Sequence, residues 1–332
     1  MPSGAVSGRQ ALSWRSARQK RRYSRGMDLV EARLQAAAAG YPGALGDACR
    51  ATLAAGGKRV RPLLALLCSR RDADLTEPVL RAAASVELLH MATLVHDDIL
   101  DRAELRRGRA TVAHEFGAGI AVSSGNFLLA RAFTELVGAG DAGAVALLSA
   151  AAVGLSEGEV LQRDDARRLS VTAAEYERRC ERKTADLFAA ACGLGAMLSG
   201  AGDVVAAAVT EFGRLIGLAF QVFDDILDLS GDEQTIGKRP GTDVRDGTIT
   251  LPLILALECR PRLGAILARD DVDDSGVEVV LAEVARCGAL EGARVVALGY
   301  IEQARMVLAA CPDLVERELL NEVAARVVDR YS

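Results

Sequence analysis

Hydrophobic residues recur at helical spacing along almost the whole chain from Met27 onward. Typical pairs are Val30 with Leu34 and Leu218 with Val222. Positions three or four apart lie on one face of an α-helix, so this spacing predicts helices with a buried stripe. The alternation of apolar and polar positions that is typical of strands is almost absent, and the abundant alanines favour helix. The pattern therefore predicts an all-α fold.

Glycine-rich and polar segments separate the predicted helices, most clearly at Gly56 and Gly57 and in the long loop from Ser230 to Gly247. No change in composition divides the chain after residue 26, so residues 27–332 are predicted to form a single all-helical domain. Residues 1–26 contain seven Arg or Lys and no acid. This composition favours a basic, disordered tail outside the fold. The alternatives are a transit peptide and an early start codon upstream of Met27.

Composition narrows the class of function. Half of the 332 residues are hydrophobic and the formal net charge is −5, so the chain can bury a large core and nothing indicates nucleic acid as a partner. The seven cysteines are scattered and form no CxxC pair, which argues against a disulfide framework or a zinc site and fits a reducing cytoplasm. The longest apolar stretches fall short of the ~18 to 20 residues that a membrane span needs, so no transmembrane helix is predicted.

The pentapeptide DDILD occurs twice, at Asp97 to Asp101 and at Asp224 to Asp228. On a helix, the first and last aspartates of each copy are four positions apart and share a face, where like charges repel. Such a cluster is ordinarily a solvated acidic face, but the flanking segments LLHMATLV and GLAFQVF are too apolar for that. Carboxylates on a buried helix require a cation, and oxygen ligands completed by water and phosphate are typical of magnesium.

Basic residues accompany the two acidic motifs and indicate an anionic ligand. They are Arg106 and Arg107 after the first motif, Lys58, Arg59 and Arg61 after a glycine pair, Lys183, and Lys238 after the second motif. Each is weak evidence alone, since most such residues are simply solvated. Together with two metal-binding faces they predict a site for a diphosphate ester, to which arginine donates forked hydrogen bonds.

These motifs resemble those of the trans-isoprenyl diphosphate synthase (polyprenyl synthetase) family. The family's first aspartate-rich motif followed by RRG matches Asp97 to Gly108, and its second matches Asp224 to Asp228. Further family landmarks recur in order: GGKRxRP at Gly56 to Pro62, ELLH ending at His90, GExxQ at Gly158 to Gln162, KT at Lys183 and Thr184, FQxxDD from Phe220, GK at Gly237 and Lys238, GTD at Gly241 to Asp243 and TLPLI at Thr250 to Ile254. The resemblance covers the chain from about residue 50 to residue 255, and so many landmarks in the same order are not a chance match.

The resemblance implies an isoprenoid synthase fold, with helices around a deep central cavity whose mouth carries both aspartate motifs. It also implies a magnesium-dependent transferase that joins an allylic diphosphate (dimethylallyl, geranyl, farnesyl or geranylgeranyl) head to tail with isopentenyl diphosphate. In the family, about three magnesium ions and basic residues withdraw the allylic diphosphate, and the double bond of isopentenyl diphosphate attacks the carbocation that remains. A homodimer is expected by resemblance as well.

The site residues carried over by motif fall into three sets. The principal metal ligands are expected to be Asp97, Asp101 and Asp224, with direct or water-mediated support from Asp98, Asp225 and Asp228. Arg106, Lys183, Thr184, Gln221 and Lys238 are expected to face the allylic diphosphate, and Lys58, Arg61, His90 and Arg107 to hold isopentenyl diphosphate. His96 and His114 have no Cys or His partner at ligand spacing and are predicted to be structural.

Three positions depart from the family pattern, and none is a principal metal ligand. Asn126 stands where Asp is usual, Ala110 where Pro is common, and Thr248 where Lys is common, so Thr248 is expected to weaken one diphosphate contact. Two other functions remain as alternatives. A class I terpene cyclase also carries DDxxD, but its second metal motif differs. A non-catalytic subunit of a heteromeric prenyl synthase would have degraded aspartate motifs, and both are intact here.

Small residues before the first motif bear on product length. Ala92 and Thr93 precede Asp97 by five and four positions, roughly 6 to 7.5 Å deeper along the helix. In the family, bulky aromatic residues at this level form a floor that stops growth at fifteen carbons. Leu89 and Val86 are the next positions expected on the same face. The prediction is an all-trans product of at least twenty carbons, with a longer quinone-type side chain favoured and geranylgeranyl diphosphate as the alternative.

Overall fold

Helices make up nearly all the regular structure of residues 12–230 and 240–329, the part of the chain that this computed structural model describes. In chain order they are α1 (Ala17–Ala39), α2 (Gly43–Ala54), α3 (Val60–Leu67), α4 (Glu77–Leu100), α5 (Val112–Phe116), α6 (Ala118–Val137), α7 (Ala142–Asp164), α8 (Ala173–Cys180), α9 (Asp186–Leu198), α10 (Asp203–Ser230), α11 (Thr242–Asp246), α12 (Leu251–Cys259), α13 (Gly264–Leu267), α14 (Asp274–Arg286), α15 (Ala289–Ala310) and α16 (Arg317–Asp329). A π-helical turn (Glu181–Ala185) joins α8 to α9, and a 3₁₀ turn (Pro261–Leu263) precedes α13. The all-α prediction is confirmed.

A short hairpin follows the first aspartate motif. Its strands are β1 (Leu105–Arg106) and β2 (Arg109–Ala110), paired antiparallel. Arg107 and Gly108, the two residues between them, both have positive φ, at 53° and 74°, as a type I′ turn requires. The segment RRGRAT (Arg106 to Thr111) therefore forms most of a tight hairpin, which reverses the chain after α4.

Two compact units divide the described residues. Unit 1 comprises residues 12–150, 190–210 and 310–322, and unit 2 comprises residues 151–189, 211–230, 240–309 and 323–329. In unit 1, α4 packs along α6 and also contacts α1 and α3. In unit 2, α12 packs against α8 and α14. The composition shows no break at these boundaries, and the single-domain description stays a prediction.

The helix α4 is the core helix of unit 1. It begins after Thr76 with Pro78 in its first turn, where a missing backbone N–H costs nothing. Most of its residues are buried on all sides, as its near-continuous apolar sequence predicts. Near its end, His96 packs on Gly125 of α6, where a Cβ would lie 2.3 Å from Nε2. His96 thus has a packing role, in line with its prediction as structural.

The N-terminal boundary differs from the predicted one at residue 27. Helix α1 begins at Ala17, and Tyr23 is fully buried, with its hydroxyl donating to Glu316 over 3.1 Å. Leu12 is buried as well. Arginines dominate the composition of this segment, but its apolar residues Leu12 and Tyr23 are buried within unit 1. Residues 1–11 lie outside the described part.

Two helices among the described residues, α4 and α7, are long and apolar enough to cross a membrane by length and composition. In the most apolar window of α4, 72% of the residues are buried, as in the core helix of a soluble protein; in α7 the share is 28%. One or two such helices are weak evidence of a span. The prediction of no transmembrane helix rested on uninterrupted apolar runs, and it stays a prediction.

Candidate active site

The first aspartate motif occupies the C-terminal end of α4. Asp97 and Asp98 lie in its last turn, and Asp101 is the residue after the helix, where it donates its backbone N–H to the carbonyl of Asp97. Asp97 is half-buried, Asp98 is buried and Asp101 is exposed. Nε of Arg106, on β1, donates to Asp98 over 2.7 Å. Burial raises the pKa of Asp98 and this cation opposes the rise, so the hairpin returns a positive charge to the motif.

The second motif lies near the end of α10, in unit 2. Asp224 is half-buried and Asp225 is buried. The hydroxyl of Tyr176 donates to Oδ2 of Asp225 over 2.6 Å, and the side-chain amide of Gln221 donates to Oδ1 over 2.8 Å. Burial raises the pKa of Asp225 to about 7, while these two hydrogen bonds oppose the rise and Asp224 adds to it. Both oxygens of Asp225 therefore already accept hydrogen bonds from neutral donors.

Both motifs place carboxylates where a helix disfavours them. The C-terminal end of a helix carries a partial negative charge, which favours basic residues there. Neither α4 nor α10 has a basic residue in its last turn. Asp228, also in α10, is buried and accepts the backbone N–H of Asp243 over 3.0 Å. At each helix end the carboxylates repel one another and the partial negative charge of the helix, and this repulsion favours the binding of a cation there.

These acids fit magnesium. Within residues 12–230 and 240–329, no three Asp, Glu, His or Cys side chains form a ready-made metal-holding group. Magnesium does not need one, because it is usually held by one or two carboxylates and completes its shell with water and substrate phosphate oxygens. Asp97, Asp101 and Asp224 are the more exposed acids of the two motifs and suit direct coordination. The buried Asp98 and Asp225 already accept hydrogen bonds and suit supporting positions.

A cleft in unit 1 gathers basic side chains next to the first motif. Among the residues that line it are Arg59, Glu87, His90, Asp98, Arg106 and Arg107. Helix α3 begins beside these residues, after Lys58 and Arg59, and has no acid in its first turn. The N-terminal end of a helix carries a partial positive charge, which adds to that of the side chains. The cleft is therefore suited to an anion.

His90 is surrounded by cations in this cleft. Burial, reinforced by Arg61, Arg107 and Arg106, lowers the pKa of His90 well below its ordinary value. His90 is thus neutral at pH 7 and contributes hydrogen bonding rather than charge. Burial also lowers the pKa of Arg61 to about 10, and Glu87 opposes that fall. Arg61 accordingly keeps its positive charge at neutral pH.

Lys183 lies in the π-helical turn of unit 2. Its Nζ contacts Oε2 of Glu159 over 2.7 Å and Oε1 of Gln162 over 2.9 Å, the two polar residues of the GExxQ landmark on α7. Burial opposes the ionisation of Glu159, but Lys183 and Arg163 outweigh it and leave the pKa lowered. The GExxQ landmark thus has a physical role in unit 2, which is to hold Lys183.

Two glycines allow neighbouring helices to approach this turn. A Cβ on Gly158 of α7 would lie 2.5 Å from the backbone N of Lys183, and one on Gly217 of α10 would lie 2.6 Å from Cα of Ala185. Both distances are shorter than any real Cβ contact with backbone. Helices α7 and α10 can pack this closely against the turn because Gly158 and Gly217 have no side chains.

Thr184 and Gln221 belong to one hydrogen-bonded chain that ends on the second motif. Oγ1 of Thr184 donates to Oε1 of Gln221 over 2.7 Å, and Gln221 in turn donates to Asp225. Tyr176 approaches Asp225 from the other side, on helix α8, which a Thr172 capping box begins. The contacts of Thr184 and Gln221 with the allylic diphosphate stay a prediction.

The other predicted residues are placed as follows. Lys58 is exposed and Arg61 half-buried at the start of α3, whereas Lys238 lies outside the described residues. Val86, Leu89 and Ala92 are buried in α4, and Thr93 is half-buried with its hydroxyl donating to the carbonyl of His90 over 2.8 Å. Of the departures from the family pattern, Asn126 is exposed, Ala110 lines the cleft and Thr248 is buried.

Sequence reasoning missed several residues that hold the site. Tyr176, Glu87 and Glu159 each bond a predicted site residue or lie beside it. Glu159 stands inside a family landmark and Glu87 inside the ELLH run, so their positions were visible without their roles. Tyr176 gave no signal, because a tyrosine in a charged helical segment is ordinary and its partner is 49 positions away.

Comparison with known proteins places the chain in a family. The polyprenyl synthetase family model matches residues 43–284. Heptaprenyl diphosphate synthase component 2 of Geobacillus stearothermophilus is 36% identical over 302 residues, which cover 91% of this chain and 94% of the relative. Geranylgeranyl diphosphate synthase of Methanosarcina mazei is 36% identical over 294 residues, with 87% and 90% covered.

A solved structure agrees with these relatives. Polyprenyl synthase from Caulobacter crescentus, complexed with calcium and isoprenyl diphosphate, is similar with a TM-score of 0.83 and 33% identity, over 94% of this chain and 96% of that one. The chain belongs to the polyprenyl synthetase family and has the isoprenoid synthase fold. It is a prenyltransferase, and the resemblance found from its motifs is confirmed.

Proposed function

We propose that the chain condenses an allylic prenyl diphosphate with isopentenyl diphosphate, head to tail and with magnesium, to give an all-trans polyprenyl diphosphate of twenty carbons or more. The observation that carries this proposal is the cationic cleft beside the first aspartate motif, in a chain that retains the second motif intact. The relatives reported above are named for geranylgeranyl and heptaprenyl diphosphate, and both names support the lower bound on length.

The aspartates act on the allylic diphosphate as its leaving group departs. Bound magnesium, about three ions by family resemblance, supplies the electrophilic pull on the diphosphate oxygens. Asp97, Asp101 and Asp224 would hold the metal directly. Asp98, Asp225 and Asp228 would support them through hydrogen bonds and water. The carbon–oxygen bond then breaks, and the diphosphate leaves with both electrons.

The basic residues divide between the two substrates. Arg106, Lys183, Thr184, Gln221 and Lys238 orient the allylic diphosphate, and Lys58, Arg61, His90 and Arg107 hold isopentenyl diphosphate. Arginine donates forked hydrogen bonds to phosphate oxygens, and neutral His90 donates one more. The double bond of isopentenyl diphosphate attacks the allylic cation to form a carbon–carbon bond. The new cation loses a proton to the departed diphosphate, so no nucleophilic side chain is needed.

Purified protein incubated with magnesium, farnesyl diphosphate and labelled isopentenyl diphosphate tests this function. A longer allylic diphosphate is the expected product. A cyclic hydrocarbon would instead identify a class I terpene cyclase, and no product at all would identify a subunit that requires a partner. The Geobacillus relative is named as component 2 of its synthase, which is the reason to test for a requirement for a partner chain separately.

We place the product beyond twenty carbons, as a quinone-type side chain, with geranylgeranyl diphosphate as the alternative. The support is the small size of Ala92 and Thr93 before the first motif. Chromatography of dephosphorylated products gives the length, and Ala92→Phe should shorten it towards fifteen carbons. Thr93→Phe, at a half-buried position, repeats the test with less overpacking. Ala84→Phe, on the same helix, equally buried and about half a turn around the axis from Thr93 and Val86, is the control that should leave length unchanged.

We also place the protein in the cytoplasm as a homodimer without a membrane span. All seven cysteines are free thiols, as a reducing compartment favours. Val153 and Val160 of α7 are 58% and 56% exposed, and the exposed Glu157 on the same helix suits a protein surface better than lipid.

Light scattering of the purified chain should give twice the monomer mass. A monomer that becomes active only with a second chain would contradict the homodimer.

A further inference from the structure

Arg59 is held between two carboxylates at the edge of the cationic cleft. Its Nη1 lies 2.8 Å from Oε1 of Glu87 on α4, and its Nε lies 3.2 Å from Oε2 of Glu31 on α1. Nη2 also points to Glu31, over 3.5 Å. The Arg59 side chain is only 10% exposed. All three guanidinium nitrogens are thus directed to protein carboxylates.

The backbone of Arg59 is in the left-handed region, at φ 51° and ψ 39°, immediately before α3. Non-glycine residues rarely adopt this conformation unless their surroundings impose it. Here the two carboxylates hold the side chain while the backbone makes the turn from Lys58 into the first residues of α3. The direction in which Lys58 and Arg61 leave this turn is therefore coupled to the position of the Arg59 guanidinium.

Charge in the cleft depends on the same residues. Glu87 is 5% exposed at its side chain and interacts electrostatically with Arg61 as well as with Arg59. A Cβ on Gly57 would lie 2.9 Å from the guanidinium of Arg107 and 3.4 Å from that of Arg59, so these two cations approach each other across the glycine. The carboxylates stabilise this concentration of positive charge and keep the cleft formed before an anion binds.

We propose that Arg59 is a positioning residue for isopentenyl diphosphate: clamped by Glu31 and Glu87, it fixes the turn that presents Lys58 and Arg61, and it does not itself bind the diphosphate. This inference rests on the proposed assignment of Lys58, Arg61, His90 and Arg107 to isopentenyl diphosphate. It adds a role for Arg59, Glu31 and Glu87, which none of the motif assignments includes.

Direct binding by Arg59 is the competing role, and the two roles predict opposite effects of one substitution. Glu31 is not among the residues that line the cleft, and Glu31→Gln removes a negative charge without changing shape. If Arg59 bound the diphosphate, this change would release its guanidinium and lower the KM for isopentenyl diphosphate. If Arg59 positions the turn, the change loosens the clamp and raises that KM by about threefold.

Steady-state kinetics with each substrate varied in turn tests the inference. Arg59→Asn keeps a residue that tolerates the left-handed backbone but removes the clamp. We expect it to raise the KM for isopentenyl diphosphate about tenfold or more and to change the KM for farnesyl diphosphate and kcat by less than about threefold. Arg59→Lys, which retains one charged donor without the fork, should recover part of the loss.

Arg33 offers a matched control. Arg33 lies on α1 in unit 1 and, like Arg59, pairs with two carboxylates. Its Nη1 lies 3.1 Å from Oε2 of Glu135, and it forms a second ion pair with Glu77. Arg33→Asn should lower the melting temperature as Arg59→Asn does but leave both KM values unchanged. Equal effects of the two changes on KM, or a lower KM in Glu31→Gln, would overturn the inference.

Arg61→Gln separates this inference from the substrate assignment on which it rests. If Arg61→Gln raises the KM for isopentenyl diphosphate and Arg59→Asn does not, the assignment stands and the positioning role is wrong. If neither change affects that KM, the assignment itself is wrong.

Discussion

The two copies of DDILD have the same five residues and different surroundings. Their second aspartates, Asp98 and Asp225, are equally buried, at 6% and 5% exposure. Asp98 pairs with a cation, the partly exposed guanidinium of Arg106, whereas Asp225 accepts hydrogen bonds from the neutral Tyr176 and Gln221. The third aspartates differ as well, since Asp101 is exposed after a helix end and Asp228 is buried within a helix. The same motif thus ends at an exposed helix terminus in unit 1 and belongs to a buried hydrogen-bonded network in unit 2.

This difference shows which properties belong to the motif and which to its setting. The first aspartate is half-buried in both copies because the helical period alone fixes its direction relative to the apolar face. The partner of the second aspartate depends on elements distant in sequence, a hairpin in one unit and helix α8 in the other. We expect the first aspartates to behave alike when changed, and the partners of the second aspartates to behave differently.

The largest effect is expected where the copies are alike. Asp97→Ala and Asp224→Ala should each lower kcat by about a thousandfold or more, because each removes a metal ligand for the leaving group. The metal-free protein should be as stable as before or more stable, since like-charge repulsion falls. Rates and thermal melts measure the two effects, with exposed Asp72→Ala as a control. Destabilised variants with nearly intact activity would show that these acids are structural.

Tyr176→Phe tests the enclosed network of the second copy. It removes a hydrogen bond to a buried carboxylate and should cost about 1.5 to 3 kcal/mol of unfolding free energy. Turnover should fall about tenfold, because Asp225 loses one of the two donors that fix it and Asp224 beside it. Urea unfolding and kcat provide the measurements.

Tyr23→Phe is the control for that change, since its hydroxyl also donates to a carboxylate, that of Glu316 in unit 1. Tyr23→Phe should lower the free energy of unfolding and leave kcat unchanged. A Tyr176→Phe enzyme with normal turnover would mean that Asp225 needs no second donor.

The pH dependence of stability should separate the two copies further. The folded-state pKa of Asp225 is raised to about 7, above its unfolded value, so the folded protein binds the extra proton and loses stability as pH rises from about 4 to 7. Each pKa unit corresponds to about 1.4 kcal/mol. Unfolding of metal-free protein at pH 5 and pH 8 should show this loss, and Asp225→Asn should reduce it. Asp98→Asn should change the pH dependence of the unfolding free energy less, because Arg106 opposes the effect of burial on Asp98. A larger change for Asp98→Asn than for Asp225→Asn would contradict the difference between the two copies.

The smallest effect concerns both copies together. Magnesium with inorganic diphosphate should raise the melting temperature by a few degrees more than the sum of the two added separately, because ligands that bind only the folded state and each other stabilise it cooperatively. Differential scanning fluorimetry measures the shifts. Purely additive shifts would show that metal and diphosphate bind independently, and Asp97→Ala and Asp224→Ala should each remove the surplus.

The sequence was sufficient for the helices, because their apolar period is strong in segments such as α4 and α10. It also located both aspartate motifs on helices, since the apolar period continues through the residues on the N-terminal side of each motif. It could not give the partners of Asp98 and Asp225, which come from elsewhere in the chain. Nor could it place the first residue of α1 at Ala17, because the burial of Tyr23 cannot be inferred from a composition dominated by arginine. Arg59 was seen only as one cation among several, since its two carboxylates lie 28 positions before and after it.

The π-helical turn at Glu181–Ala185 has a consequence for how this segment tolerates changes in length. A π turn holds one residue more than the α turn it replaces, and each residue of an α-helix advances the chain by about 100° around the axis. Deleting any one of these five residues would allow α8 to continue into α9 as an unbroken helix, yet Lys183 or Thr184 would rotate away from Glu159 and Gln221. Substitutions here change one contact at a time, whereas a three-nucleotide deletion would shift the whole following register at once.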